Sequence, residues 1–172
     1  MDRTYLRIRR PLEDAMARYA RWLGEPEVRP PRNVDEREAI DRALDGAGNW
    51  LGLAVYIYAS GEWTVFEELS GGLSTRSGET WQQLADGGDL VYAGYNDAIG
   101  YGELIVVEAG RLVRHFLQDD QEPGDDVNVG RLPEEVDDPF EDWIGLAGWI
   151  DEDDDKLEHA EKGLLWIHRT PE

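Results

Sequence analysis

The sequence predicts an α+β fold whose mainly antiparallel sheet is flanked by an N-terminal and a C-terminal helix. Apolar residues recur at helical spacing over 11–23 and again after Asp138, whereas within 51–117 they alternate with polar or small residues at a period of two. Short turn sequences such as Ala109-Gly110 connect neighbouring strand patterns. Tight turns of this kind join hairpins, so the strands should pair antiparallel.

Three helices are predicted before the last third of the chain. Pro11 presets the backbone of a first helical turn, and an apolar stripe then recurs every three or four residues until Gly24. Asp35 can cap a second, short helix, with Glu38 answering three residues later. A third helical segment follows over 78–85.

The C-terminal helix has the clearest local start signal in the chain. The motif Asp-Pro-Phe-Glu at 138–141 combines an N-cap residue, a proline at the first helical position and a carboxylate that can bond back to the cap. Apolar residues follow at helical spacing, which predicts a helix over 139–149 with Asp138 as its cap.

Strands are predicted wherever alternating segments lie between turn-forming residues. Five of them should build the sheet, at 51–58, 62–67, 90–95, 103–108 and 111–117. Shorter strand patterns occur at 4–9 and 163–168, whereas 25–33 is predicted to be an extended connector and 118–129 an acidic loop. The residues predicted to be buried are Leu12, Met16, Tyr19, Val55, Ile57, Val65, Leu104, Val106, Trp143 and Ile144.

Length and composition favour a single acidic domain over 1–172. The chain is in the usual size range of one domain, and it shows neither a fixed internal repeat nor a sharp shift in composition. Cys is absent, which excludes disulfides and thiolate chemistry and fits a reducing compartment. No signal-like apolar stretch follows Met1, and no run approaches the ~20 residues of a membrane helix, so we expect a cytoplasmic protein.

The charge of the chain is strongly negative and unevenly distributed. Seventeen basic and 38 acidic residues give a formal net charge of −21, which disfavours nucleic acids and anionic membranes as partners. Residues 119–155 alone hold sixteen Asp or Glu against Arg131, a net charge of −15. This segment is either a solvated face adapted to solubility or salt, or a surface that steers a cationic partner towards the protein.

No motif predicts a metal site, a cofactor or a catalytic residue. Acids alternate from Asp151 as in a calcium loop, but Lys156 and Lys162 occupy the positions that need Gly and Glu. The three His are widely separated, and neither a G-x-S-x-G nor a phosphate-binding glycine motif is present. The sequence therefore favours a protein that is not an enzyme.

A loop rich in Tyr, Asn, Asp and Gly joins two predicted strands over 92–103. This mixture is typical of recognition loops, although it also suits a structural turn whose Tyr rings pack at the sheet edge. Together with the acidic segment it supplies the predicted partner-binding residues, which are Tyr92, Tyr95, Asn96, Asp97, Tyr101, Asp119, Asp120, Asp125, Asp126, Asp153 and Asp154.

The sequence is that of a small, acidic, Cys-free α+β chain with many Trp and a Tyr-Asn-Asp loop. In these general features it resembles immunity-type and uncharacterised proteins that bacteria carry beside toxin genes. The resemblance covers 62–155 and implies a protein that neutralises a toxin by occlusion. We therefore predict a protein-binding module, immunity-like or an adaptor, whose acidic surface binds a basic protein partner. The alternative is a small-ligand-binding protein or carboxylate-dependent enzyme with a cleft between sheet and helices, using Glu62, Glu67 or Asp97.

Overall fold

The computed structural model describes residues 4–24, 32–71 and 76–168, which form nine strands and four α-helices. In chain order these are β1 (Thr4–Ile8), α1 (Leu12–Leu23), β2 (Arg32–Val34), α2 (Glu36–Ala43), β3 (Leu53–Ser60), β4 (Trp63–Glu68), α3 (Gly78–Ala85), β5 (Leu90–Asn96), β6 (Tyr101–Glu108), β7 (Arg111–Asp119), β8 (Val127–Gly130), α4 (Trp143–Asp154) and β9 (Gly163–His168). A 3-10 turn, Pro133–Glu135, precedes α4. The strand pairs are antiparallel and helices pack on them, which confirms the predicted fold class.

The chain divides into two compact units. The first unit contains the described residues of 1–6 and 74–157, with α3, α4 and strands in the order β5-β6-β7-β8. The second unit contains the described residues of 7–73 and 158–172, with α1, α2 and strands in the order β2-β9-β3-β4. That the whole chain forms one domain stays a prediction.

In the first unit, α3 and α4 both pack against β6. Trp81 of α3 stacks on Tyr92 of β5 with their ring centroids 4.4 Å apart, and both rings are buried. A Cβ at Gly102 of β6 would lie 2.9 Å from the Cβ of Trp143 and 3.2 Å from a methyl group of Leu146. The missing side chain at Gly102 therefore lets α4 approach the sheet closely.

In the second unit, the apolar stripe of α1 places Tyr19 in an aromatic cluster. Its ring stacks on Phe66 of β4 at 4.5 Å and lies 5.8 Å from Trp166 of β9. The predicted cap of α2 is present, since the Asp35 side chain accepts a hydrogen bond from the backbone N–H of Glu38 at 2.8 Å. Sequence-local signals thus place both helices of this unit.

The predicted start of the C-terminal helix is wrong. Helix α4 begins at Trp143, and its cap is Asp142, whose Oδ1 accepts hydrogen bonds from the backbone N–H groups of Ile144 (3.1 Å) and Gly145 (3.0 Å). Asp138 is exposed and lies outside the helix. The start moves four residues along the chain because distant groups hold the backbone ahead of it, among them Gln118, whose side-chain oxygen accepts from the Trp143 N–H at 2.6 Å.

The observed α4 buries a different set of residues from the predicted one. Ile144 is 61% exposed, contrary to prediction, and Trp143 is half-buried. The buried positions of α4 are Leu146, Ile150, Asp153 and Asp154.

Most of the remaining core prediction is confirmed. Leu12 is half-buried, whereas the other seven predicted core residues are buried, namely Met16, Tyr19, Val55, Ile57, Val65, Leu104 and Val106. The loop predicted over 118–129 is shorter, because β7 continues to Asp119 and β8 begins at Val127. Of the connector predicted over 25–33, residues 25–31 lie outside the described residues, and its end belongs to β2, which pairs with β9.

We expect Asp142→Ala to lower the free energy of unfolding by ~1 kcal/mol, because the substitution leaves two backbone N–H groups of α4 without their cap. Asp138→Ala, four residues earlier and exposed, should change it by less than about 0.5 kcal/mol. Urea denaturation of both variants measures the difference. Equal effects would contradict the cap assigned to Asp142.

Candidate functional site

The two segments predicted to bind a partner meet at one end of the sheet of the first unit. They are the turn after β5, residues 97–100, and the loop after β7, residues 120–126. The Asp120 N–H donates to the carbonyl oxygen of Gly100 at 3.1 Å. Gly100 has a φ of +68°, and a Cβ there would collide with the Asp120 side chain, so this close approach favours glycine. We call these two segments the acidic rim.

Backbone and side-chain bonds fix the shape of the rim. The Asn96 Oδ1 accepts from the N–H of Ala98 at 3.0 Å, which closes the turn. In the loop, the Asp126 Oδ1 accepts from the Asp119 N–H at 3.2 Å. Asp97 and Asp125 are exposed, as is Asp120, while Asn96 and Asp119 are half-buried. The rim therefore presents carboxylates to solvent from a defined backbone.

Most carboxylates of 119–155 face solvent. Eleven of the sixteen are exposed, and within the described residues none of the eleven forms an ion pair. The exposed ones are Asp120, Glu122, Asp125, Asp126, Glu134, Asp137, Asp138, Glu141, Asp151, Glu152 and Asp155. The segment thus keeps its negative charge at the surface instead of neutralising it internally.

The tyrosines predicted to bind a partner occupy different environments. Tyr92 and Tyr101 are buried, so their rings belong to the interior of the unit. The Tyr101 hydroxyl donates to the buried Glu103 at 2.6 Å. Tyr95 is half-buried, and its hydroxyl donates to Asp151 of α4 at 3.2 Å. Only part of the Tyr95 ring is available at the surface.

Two carboxylates of the predicted binding set lie in the interior instead. Asp153 is 5% exposed and accepts a hydrogen bond of 2.6 Å from the Tyr5 hydroxyl. Asp154 is 4% exposed. Both turn inward because α4 continues to Asp154, five residues past the predicted end, and places them on the face that also carries Leu146 and Ile150. The Tyr5 bond ties Asp153 of α4 to β1, and neither carboxylate is a surface contact.

A buried ion pair joins the acidic segment to the sheet. The guanidinium of Arg114 in β7 donates to both carboxylate oxygens of Glu135, at 2.7 and 2.8 Å, and both side chains are almost completely buried. The same guanidinium donates to the Asn128 side chain at 2.9 Å and to the Val129 carbonyl at 3.1 Å. Glu135 in turn accepts from the N–H of Leu132 at 2.9 Å.

This pair also orders the aromatic residue ahead of α4. The Arg114 guanidinium lies 5.4 Å from the centre of the Phe116 ring and 5.7 Å from that of Phe140. The N–H of Phe140 donates to Glu135 at 3.5 Å. The sequence patterns did not predict this pair. The feature that could have indicated it is Arg114, a charged residue inside the strand predicted over 111–117.

A cavity of about 290 Å³ lies between α4 and the segment that precedes it. We call it the α4 cavity. Its walls are Glu134, Asp138, Pro139, Phe140, Gly145, Gly148, Trp149 and Glu152. The cavity combines two aromatic rings with three carboxylates, a combination that suits an organic cation.

The described residues contain no group of three or more acidic or His side chains arranged to hold a metal ion. Among the same residues, no helix has the length and apolar character to cross a membrane. Of the acids in the enzyme alternative, Glu62 pairs with Arg9 in the second unit, and Asp97 belongs to the rim of the first.

The chain matches no protein-family model, no curated protein and no solved structure.

We expect Arg114→Met or Glu135→Leu alone to lower the free energy of unfolding by about 3–5 kcal/mol, because each leaves a buried charge without its partner. The double variant should recover most of that loss, since it removes both charges. Chemical denaturation of the three variants completes a double-mutant cycle. Additive losses would show that the two side chains do not act as a pair.

The wild-type protein should lose more stability than His115→Gln between pH 7 and pH 5. Burial, and secondarily the charge of Arg114, lower the pKa of the His115 imidazole. The unfolded chain binds this proton near its ordinary pKa of about 6.5, so the contribution of neutral His115 is complete above that pH and decreases as the pH falls below it. Denaturation curves of both proteins across this range test the prediction, and parallel pH profiles would contradict it.

Proposed function

We propose that this chain is a protein-binding module that binds a basic protein partner through the acidic surface of its first unit. The observation that supports this most is the surface over 119–155, where eleven exposed carboxylates accompany exposed aliphatic side chains. Val129 is 61% exposed, Val136 72% and Ile144 61%. Interfaces commonly surround apolar contacts with a polar rim, so a surface of this composition suits a protein partner.

The charge of this surface acts before contact is made. Its carboxylates lack internal counter-charges within the described residues, so their field extends to about a Debye length of ~8 Å at physiological ionic strength. Such fields speed the encounter with an oppositely charged protein by ~10- to 1,000-fold at low salt. The acidic rim adds Ile99, 42% exposed, as an apolar contact beside Asp97.

We propose occlusion as the mode of action, in line with the resemblance to immunity-type proteins. The positive surface of a basic protein attracts acidic or phosphate-bearing targets. An acidic protein that covers the same surface competes with those targets directly. Such inhibition requires no catalytic group on the covering protein, and it would take place in the cytoplasm, the compartment expected for a chain without Cys.

Neutralising the rim should slow association with the partner. The test variant is Asp120→Asn, Glu122→Gln, Asp125→Asn and Asp126→Asn together, which removes four exposed charges and keeps side-chain size. Partners captured from the source cell are identified by mass spectrometry, and association rates are measured at several salt concentrations. We expect the variant to associate on the order of tenfold more slowly at low salt and to respond less to salt than wild type.

The matched control removes four exposed carboxylates from the second unit, through Glu13→Gln, Glu36→Gln, Asp41→Asn and Glu161→Gln. It changes the net charge equally and should have a much smaller effect on the association rate. An acidic partner, equal effects of the two variants, or association that ignores salt would each refute the proposed function.

A further inference from the structure

We propose that the α4 cavity binds an arginine side chain of the basic partner and anchors the complex. This inference deepens the proposed function, on which it rests, by naming the group that the surface recognises. Four features of the cavity support it: its aromatic wall, its carboxylates, the glycines of α4 and its size.

The aromatic wall is formed by Trp149 and Phe140, whose rings meet edge to face with centroids 6.2 Å apart. Phe140 already lies near one guanidinium, that of Arg114 at 5.7 Å. No Lys or Arg of the described chain lies over Trp149. The Trp149 ring is therefore available to a cation from outside the chain. Indole is also the strongest cation–π acceptor among side chains.

The carboxylates around the cavity are Glu134, Asp138 and Glu152, all exposed and none in an ion pair within the described residues. They are not arranged to hold a metal ion. A guanidinium suits this arrangement better than a compact ion, because its plane stacks on an aromatic ring while five N–H donors point outward to carboxylates.

Two glycines of α4, Gly145 and Gly148, leave the cavity open on the helix side. Glycine is unfavourable inside a helix, so its presence there normally has a packing reason. At Gly148 there is none, because an added Cβ would meet nothing within 4 Å. Because Gly148 lines the cavity, its missing side chain leaves that wall open, and we expect a larger residue at 148 to narrow the cavity.

The size of the cavity favours one side chain over a free small molecule. Its volume of about 290 Å³ is at the lower limit of the ~300–1,000 Å³ usual for small-molecule sites. Its lining residues Glu134, Asp138 and Glu152 are among the exposed carboxylates of 119–155, so the cavity opens on the surface proposed to bind the partner. Arginine is enriched among interface residues that contribute most to affinity, which suits an anchor of this kind.

The test titrates the full ¹⁵N-labelled chain with N-acetyl-L-arginine amide and follows the indole N–H resonance of Trp149, assigned by comparison with Trp149→Phe. The citrulline amide has nearly the same shape without the charge, and the norleucine amide supplies only the apolar stem. We expect a saturable shift with the arginine probe and at least about fivefold weaker binding of the other two.

Two pairs of variants locate the binding. Gly148→Leu should weaken arginine binding about tenfold, whereas Gly148→Ala makes the same change in helix propensity with little added volume and should weaken it far less. Glu152→Gln should weaken it several-fold, whereas Glu141→Gln, an exposed acid that does not line the cavity, should not. If Gly148→Leu fails to fold, the second pair decides.

The proposal is overturned if arginine produces no saturable shift, if citrulline or norleucine binds equally well, or if neither Gly148→Leu nor Glu152→Gln matters. This titration uses no partner protein, and the rim variant should bind the arginine probe within about twofold of wild type. Slow association of the rim variant without arginine binding would leave the proposed function standing and remove the anchor. Arginine binding without salt-dependent association would remove the proposed function and keep the α4 cavity as a guanidinium site.

Discussion

The ion pair of Arg114 and Glu135 is the interaction on which the first unit's acidic surface depends. The segment between β8 and α4, residues 131–142, contains few apolar residues and much negative charge. Hydrophobic burial alone would therefore stabilise its packing on the sheet only weakly. One buried guanidinium bonds Asn128, Val129 and Glu135, and Glu135 bonds the N–H of Phe140. A single cation thus fixes β8, the 3-10 turn and one wall of the α4 cavity.

The buried carboxylates and the exposed ones have different roles. Asp153 accepts a bond from Tyr5, and Glu103 accepts one from Tyr101, so hydroxyl donors replace part of the hydration that burial removes. The eleven exposed carboxylates of 119–155 form no ion pair with a cation of the described chain. Self-repulsion among them opposes folding, and the same repulsion is relieved when a basic surface covers them. Binding a cationic partner would therefore stabilise the fold as well as form a complex.

Local patterns were sufficient for most of the fold, but they failed where distant groups compete with them. Period-two alternation located the five main strands, and the cap at Asp35 was predicted correctly. The motif at 138–141 has every local feature of a helix start, yet Gln118 and Glu135 hold the chain in another conformation up to Trp143. No single-sequence pattern reports those contacts. The exposure of Ile144 and the burial of Asp153 follow from the face that α4 packs on the sheet, which carries Leu146 and Ile150.

The candidate site was predictable in its segments and not in its geometry. Composition indicated both 92–103 and 119–155, but their contact through Gly100 and Asp120 depends on strand register, and the α4 cavity depends on where the helix starts. The two parts of the site act over different distances. In the proposed complex, charge on the rim would attract basic proteins in general and act mainly on the association rate. Discrimination among basic proteins needs a contact with a fixed shape, and that contact controls dissociation. In a chain with a net charge of −21, the cavity beside α4 would supply such a contact, because its aromatic rings and carboxylates have fixed positions that net charge alone lacks.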